Sequence, residues 1–110
     1  MDLTTETVPG DGYVTLRVSG EIDLHTAQSL RDAALAALRQ HGATLRIDLR
    51  EVPFMDSTGL EVLLATRRRA QLEGGSLTLV GPTPAVRRVI EVTGLDKLFP
   101  IAPDEPGAAV

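Results

Sequence analysis

The stretch Leu45-Arg46-Ile47-Asp48-Leu49-Arg50-Glu51-Val52-Pro53-Phe54-Met55-Asp56-Ser57-Thr58-Gly59-Leu60-Glu61 changes its rhythm halfway along. Leu45, Ile47 and Leu49 alternate with Arg46 and Asp48, the period-2 pattern of a strand with one buried face. Pro53 has no amide hydrogen to donate, so a central ladder cannot continue through it. Beyond the loop, Thr58-x-x-Glu61 reads as a capping box. Leu60, Leu63, Leu64 and Leu72 then predict the buried stripe of a helix that ends at Gly74-Gly75.

Outward from this unit the same two periods recur. Gly10-Asp11-Gly12 signals a turn, after which Val14, Leu16 and Val18 alternate with Thr15, Arg17 and Ser19 as a strand. Leu3 to Val8 is its expected hairpin partner. Ala27, Leu30, Ala34 and Leu38 recur at three and four residues, which predicts an amphipathic helix capped by Thr26 or Asp23 and closed by Gly42. Leu77 to Val80 reads as another strand. Thr83-Pro84 opens a last helix with Val86, Val89 and Ile90 on its apolar face, and Gly94-Leu95 ends it. Leu98, Phe99 and Ile101 are expected to fold back onto the core. The order is β-β-α-β-α-β-α, an α/β fold with a mixed, mostly parallel sheet and right-handed crossover helices. The first strand is antiparallel, at or near one edge. Residues 1–102 are expected to form one domain, and 103–110 a flexible tail too short and proline-rich for a helix.

Composition narrows the function. The 110 residues are 43% hydrophobic and 24% charged, the profile of a globular chain able to bury one core. No apolar run reaches the roughly 18 residues a membrane span needs, and the N-terminus lacks a secretory pattern, so the expected location is the cytoplasm. There is no cysteine, which removes disulfides, thiolate metal sites and cysteine nucleophiles. Eleven basic residues against fifteen acidic ones give a net charge of -4, and aromatics make up 3% with no Trp. That balance opposes nucleic-acid binding. His25 and His41 bracket one predicted helix and stand more than about 20 Å apart at 1.5 Å per residue, so they cannot share a metal. No cofactor or metal is expected. A small acidic domain that touches another protein fits best.

In a sheet of this type, sites form beyond the carboxyl ends of the strands. Three loops reach that edge: Gly20 to His25, Arg50 to Gly59, and Gly81 to Pro84. The middle one carries Phe54, Met55, Asp56, Ser57, Thr58 and Gly59. On a plain packing account, Phe54 and Met55 plug the core and Asp56 or Ser57 caps the helix. On a functional account, Ser57 sits at a helix start, where free amides and the helix dipole accept an anion. A phosphate there adds about -1.5 to -2 charges beside Asp56, Glu61, Glu21 and Asp23. The fold would tolerate it, whereas a docked partner would not, because an unpaired charge in an interface costs several kcal/mol.

These residues resemble the STAS domains, specifically the bacterial anti-sigma-factor antagonists of the sporulation and general-stress type. The resemblance runs from about Val14 to Ile101. It rests on Gly20-Glu21-Ile22-Asp23, Asp48-Leu49, Phe54-Met55-Asp56-Ser57-Thr58-Gly59-Leu60 and Gly94-Leu95. It implies that the unphosphorylated chain binds an anti-sigma factor with serine kinase activity and so releases a sigma factor for transcription. Phosphorylation at Ser57 would end that binding, and a PP2C-type serine phosphatase, dependent on manganese or magnesium, would restore it. Asp23, Asp56, Thr58 and Gly59 would shape the phosphosite. Glu21, Asp23, Met55, Asp56, Ser57, Leu60 and Glu61 would form the partner surface. Two departures stand out: Glu61 occupies a position where close relatives often have glycine, and the further C-terminal helix usual in the family is expected to be missing, shortened or disordered here.

Other readings compete with this one. A Ser57–His25–Asp23 hydrolase triad lacks the Gly-x-Ser-x-Gly elbow, since only Gly59 fits the spacing, and nothing marks an oxyanion hole. The chain is therefore not expected to be an enzyme. A non-switching STAS docking module, as in a lipid-transport ATPase or a stress-sensing complex, would use the same fold. There is no Walker-A lysine, and Gly10-x-Gly12 precedes its strand and is only a turn. Arg67-Arg68-Arg69 reads as a solvated helix face with Glu73 as a partner for Arg69. Asp48 can either tie down loop amides or take part in function.

Overall fold

The computed structural model describes residues 3–103. The strands are β1 (Thr4–Pro9), β2 (Val14–Ser19), β3 (Thr44–Glu51), β4 (Ser76–Val80) and β5 (Ile101–Ala102). The helices are α1 (Ala27–His41), α2 (Ser57–Leu72) and α3 (Pro84–Val92), and a single 3-10 turn covers Leu95–Lys97. The sheet runs β1-β2-β3-β4-β5, with β1 antiparallel to β2 and every other neighbouring pair parallel. The expected α/β architecture, with its antiparallel first strand on an edge, is the one observed. The fifth strand is an addition: the segment carrying Phe99 and Ile101 returns not merely to cover the core but to pair Ile101 with Leu79 and Ala102 with Val80.

Register explains why one face of the sheet is apolar. Val14 lies opposite Leu45 and Leu45 opposite Leu77; Leu16 lies opposite Ile47 and Ile47 opposite Leu79. These rows, extended by Val18 and Leu49, join Leu30, Ala34 and Leu38 of α1, Leu60 and Leu63 of α2, and Val86 and Ile90 of α3 in one buried cluster. Each such Leu, Ile or Val taken out of water contributes about 1.5–3 kcal/mol. Because side chains alternate along a strand, Thr15, Arg17, Arg46, Asp48 and Arg50 occupy the opposite face.

Several local expectations change. Leu72, counted in the α2 stripe, is 78% exposed, because Val62, Thr66 and Ala70 complete the buried side instead. Phe54 does not plug the core and is 46% exposed, whereas Met55 is fully buried. Leu98 is partly exposed while its neighbour Phe99 takes the buried place, and the Leu98 carbonyl accepts from Arg67 Nε at 3.0 Å. The helix stops behave as read: Gly42 has φ 98 and donates to the Leu38 carbonyl, and Gly94 has φ 76 and donates to Glu91. Arg69 and Glu73 pair at 2.6 Å one turn apart on α2. Apart from Pro103, the expected flexible tail at 103–110 lies outside the described residues, as does the question of a further C-terminal helix.

Candidate functional site

The three loops named from the sequence meet at the carboxyl ends of the strands, and backbone hydrogen bonds hold them together. Gly20 N donates to Glu51 O at 3.1 Å, Ile22 N to Phe54 O at 3.0 Å, and Asp56 N to Ile22 O at 3.1 Å. Ile22 and Met55 thereby form an isolated parallel bridge that extends the β2–β3 pairing past the bulge after Arg17 and over the Pro53 interruption. The third loop joins through a side chain. Thr83, at the N-cap of α3, sends its hydroxyl away from the helix to the Val52 carbonyl at 2.8 Å.

Helix α2 starts two residues earlier than the expected capping box requires. Asp56 is the N-cap, with extended backbone, and its Oδ1 accepts from Thr58 N at 2.9 Å. The Thr58 hydroxyl also donates to Asp56 Oδ1, so Thr58 is bound by the cap and does not itself serve as one. Ser57 is the first helical residue and is exposed. The amides below it are largely committed: Gly59 N and Leu60 N both reach Asp56 O, at 3.1 and 3.4 Å. The expected reserve of free amides is therefore mostly spent by Asp56, whose own carboxylate already fills the place of an anion at this dipole.

Gly59 is buried beneath this turn. A Cβ there would collide with Met55 Cγ and lie 2.7 Å from Ile22 Cγ2, so the close approach of the loop to the helix requires glycine. Met55 and Leu60 were expected on the partner surface, but they are 1% and 5% exposed. Their side chains anchor the edge to the core, because the Ile22–Met55 bridge turns Met55 inward and Leu60 lies on the core side of α2. Glu61, by contrast, is exposed on the same helix ridge as Ser57, four residues away.

The adjacent loop is organised by Asp23 and Thr26. Asp23 Oδ1 accepts from the backbone N–H groups of His25 at 2.9 Å and Thr26 at 3.1 Å. Thr26 is the N-cap of α1 but makes no side-chain bond to that helix; its hydroxyl donates to the Glu21 carbonyl at 2.7 Å. Desolvation raises the Asp23 carboxyl, but the hydrogen bonds from His25 and Thr26, together with the His25 charge, outweigh it and hold the group below its ordinary value. Glu21 and Asp23 are half-buried, and His25 is exposed. Among the described residues no hydrogen bond joins Ser57 to His25 or Asp23, and no group of three or more His, Asp or Glu side chains is placed to hold a metal.

Sequence reasoning missed part of this edge. Leu24 is 72% exposed on the loop before α1, and with Phe54 it gives the acidic edge apolar area. Its signal was available, since Leu24 falls outside the Ala27-Leu30-Ala34-Leu38 stripe. Beside it, an open groove of about 220 Å³ separates the starts of α1 and α2 and is lined by Leu24, Gln28, Arg31, Thr58 and Glu61 among others. Asp48 lies elsewhere. Its buried carboxylate accepts from Arg50 N at 3.0 Å and Arg50 Nη2 at 2.8 Å, with Arg17 Nε at 3.9 Å, in a hollow of about 460 Å³ also lined by Val18 and Glu51. The structural alternative for Asp48 is the one these contacts describe.

Comparison with known proteins follows the same outline. The family model described as STAS domain matches residues 2–108. The anti-sigma-B factor antagonist of Bacillus subtilis is 34% identical over 107 residues, 97% of this chain and 97% of that protein. The crystal structure of an anti-sigma factor antagonist from Mycobacterium paratuberculosis shares 41% identity at a TM-score of 0.85, covering 94% of this chain and 88% of that one. The Bacillus cell fate determinant SpoIIAA in its phosphorylated form shares 26% identity at a TM-score of 0.71, covering 94% and 95%. With the strand order, the loop edge and the family match in agreement along nearly its whole length, the chain belongs to the STAS domain family.

Proposed function

We propose that this protein is an anti-sigma-factor antagonist that works by reversible docking through the edge around Ser57. In its unphosphorylated form it binds an anti-sigma factor with serine kinase activity and so frees a sigma factor. Transfer of phosphate to Ser57 ends the complex, and a PP2C-type phosphatase restores it. The observation that carries this reading is the exposed Ser57 hydroxyl at the first position of α2, among Asp23, Asp56 and Glu61, in a chain whose full-length relatives include named antagonists. The partner surface is formed by Glu21, Asp23, Asp56, Ser57 and Glu61, with Met55 and Leu60 supporting it from below.

The switch follows from charge placement. A phosphoserine brings about -1.5 to -2 charges onto an edge where, among the described residues, no arginine or lysine pairs with Asp23, Asp56 or Glu61. In water that charge is solvated at little cost. Against a docked partner it is desolvated beside like charges, which costs several kcal/mol. The test is binding to the cognate anti-sigma kinase with and without ATP. Ser57→Ala is expected to stay bound through ATP addition, and Ser57→Glu to weaken binding tenfold or more, about 1.4 kcal/mol. Release of Ser57→Ala by ATP would refute the proposal.

A further inference from the structure

Two hydroxyls stand side by side at the start of α2, and the structure treats them differently. Ser57 is exposed, and its Oγ has no hydrogen-bond partner among the described residues. Thr58 is half-buried in the groove between α1 and α2, its amide and its hydroxyl both donating to Asp56 Oδ1. We infer that Asp56 is a positioning residue that selects the phosphoacceptor: its carboxylate locks the Thr58 hydroxyl and leaves Ser57 as the oxygen that can be phosphorylated. This rests on the phosphorylation reading above and adds to it the reason for the choice of atom.

The chemistry makes the lock effective. In phosphoryl transfer the acceptor oxygen forms a bond to the γ-phosphorus of ATP while the bond from that phosphorus to the bridging oxygen breaks. ADP leaves, and the hydroxyl proton passes to a base on the kinase. Little covalent work falls to the acceptor, so access and alignment decide the rate. Ser57 Oγ meets both needs without giving up a contact. Thr58 Oγ1 would first have to surrender its charge-assisted bond to Asp56, turn out of the groove, and bring its oxygen past that carboxylate. The groove is lined by both Glu61 and Arg31, charges of opposite sign, so the barrier on the Thr58 route is the bond to Asp56 itself.

The experiment maps phosphate positions by tandem mass spectrometry on full-length protein recovered from its native cells under phosphatase inhibition. It compares the wild type with Thr58→Ser, Asp56→Ala and the Asp56→Ala/Thr58→Ser double variant. Thr58→Ser removes the chemical difference between the two acceptors while keeping the lock, so phosphate is expected at position 57 over position 58 by at least about tenfold. In the double variant the share at position 58 is expected to rise about tenfold or more relative to Thr58→Ser. A merely structural cap would change helix content without moving this ratio, and circular dichroism on the same samples separates the two effects. Should the alanine variants fail to fold, Asp56→Gly, a residue helix N-caps accept well, replaces them. Equal labelling of both positions in Thr58→Ser, or an unchanged ratio in the double variant, overturns the lock while leaving Ser57 phosphorylation standing. Loss of all labelling in every Asp56 variant would assign Asp56 to kinase recognition and overturn it as well. Absence of phosphate from the wild type would instead remove the functional reading on which it rests.

Discussion

Asp48 and Asp56 lie at opposite ends of one strand-to-helix connection, and each accepts a backbone amide two residues ahead, yet they do opposite things. Asp48 is 4% exposed and its charge is answered by the Arg50 guanidinium at 2.8 Å, with Arg17 at 3.9 Å. Asp56 is half-buried, and its partners are the Thr58 amide and hydroxyl, which are neutral. A carboxylate paired with guanidinium is cancelled and becomes part of the scaffold. One satisfied by dipoles keeps its net charge and displays it. The second arrangement makes an edge whose electrostatics a single added phosphate can tip, and Asp23, held by the amides of His25 and Thr26, repeats it on the neighbouring loop.

The sharpest way to break this comparison is Asp48→Ala. It removes the acceptor for the Arg50 amide and for a bidentate guanidinium. Both arginines are partly exposed and can recover solvent, so a loss of about 2 kcal/mol in urea unfolding is expected, with partner binding retained. A loss below about 0.5 kcal/mol would mean the cluster is not scaffold. The same site predicts a pH effect. Burial raises the Asp48 carboxyl, but the Arg50 hydrogen bonds, with the Arg50 and Arg17 charges, bring it below its ordinary 3.8. The stabilisation is therefore present above that value and lost as pH falls through the depressed folded value. Asp48→Asn should flatten the acid limb of the stability curve; an unaltered limb would contradict this.

A smaller effect is expected at the other carboxylate. Asp56→Ala removes an N-cap and should cost about 1 kcal/mol in the same unfolding assay. The smallest is at the serine: Ser57→Ala and Ser57→Glu should both stay within about 0.5 kcal/mol of the wild type, since an exposed side chain without a partner carries no packing. A drop of 2 kcal/mol or more for either would identify Ser57 as structural and remove the contrast.

The legible parts of this molecule were those with a period or a stop. Val14-Leu16-Val18, Leu45-Ile47-Leu49 and the Leu30-Ala34-Leu38 series announce strands and a helix, because local geometry repeats on the same residues that face the core. Pro53, Gly42 and Gly94 mark ends for reasons internal to their own backbones. The Asp-Ser-Thr-Gly-Leu run pointed to the edge where the three loops meet and to a serine that lies exposed on it. The division of labour within that run was not legible. Asp56, Ser57 and Thr58 are all acceptable helix-start residues, and which one caps is decided by the Ile22–Asp56 hydrogen bond that sets the loop's entry angle. Phe54 and Met55 are both apolar; the bridge to Ile22 buries one and exposes the other.

By itself the sequence determined the element order, the parallel core with its antiparallel edge strand, and the loop that carries the phosphoacceptor candidate, since these follow from hydrophobic period, turn chemistry and motif. Only the tertiary structure decided that Met55 and Leu60 support the edge from inside, that Gly59 is held between Met55 and Ile22, that Ile101 and Ala102 add a fifth strand, and that Asp56 spends its carboxylate on Thr58. Each of those outcomes depends on contacts between segments distant in the chain, or on a competition among chemically similar neighbours that those contacts settle. Local propensity does not distinguish such alternatives; the packing of one loop against another does.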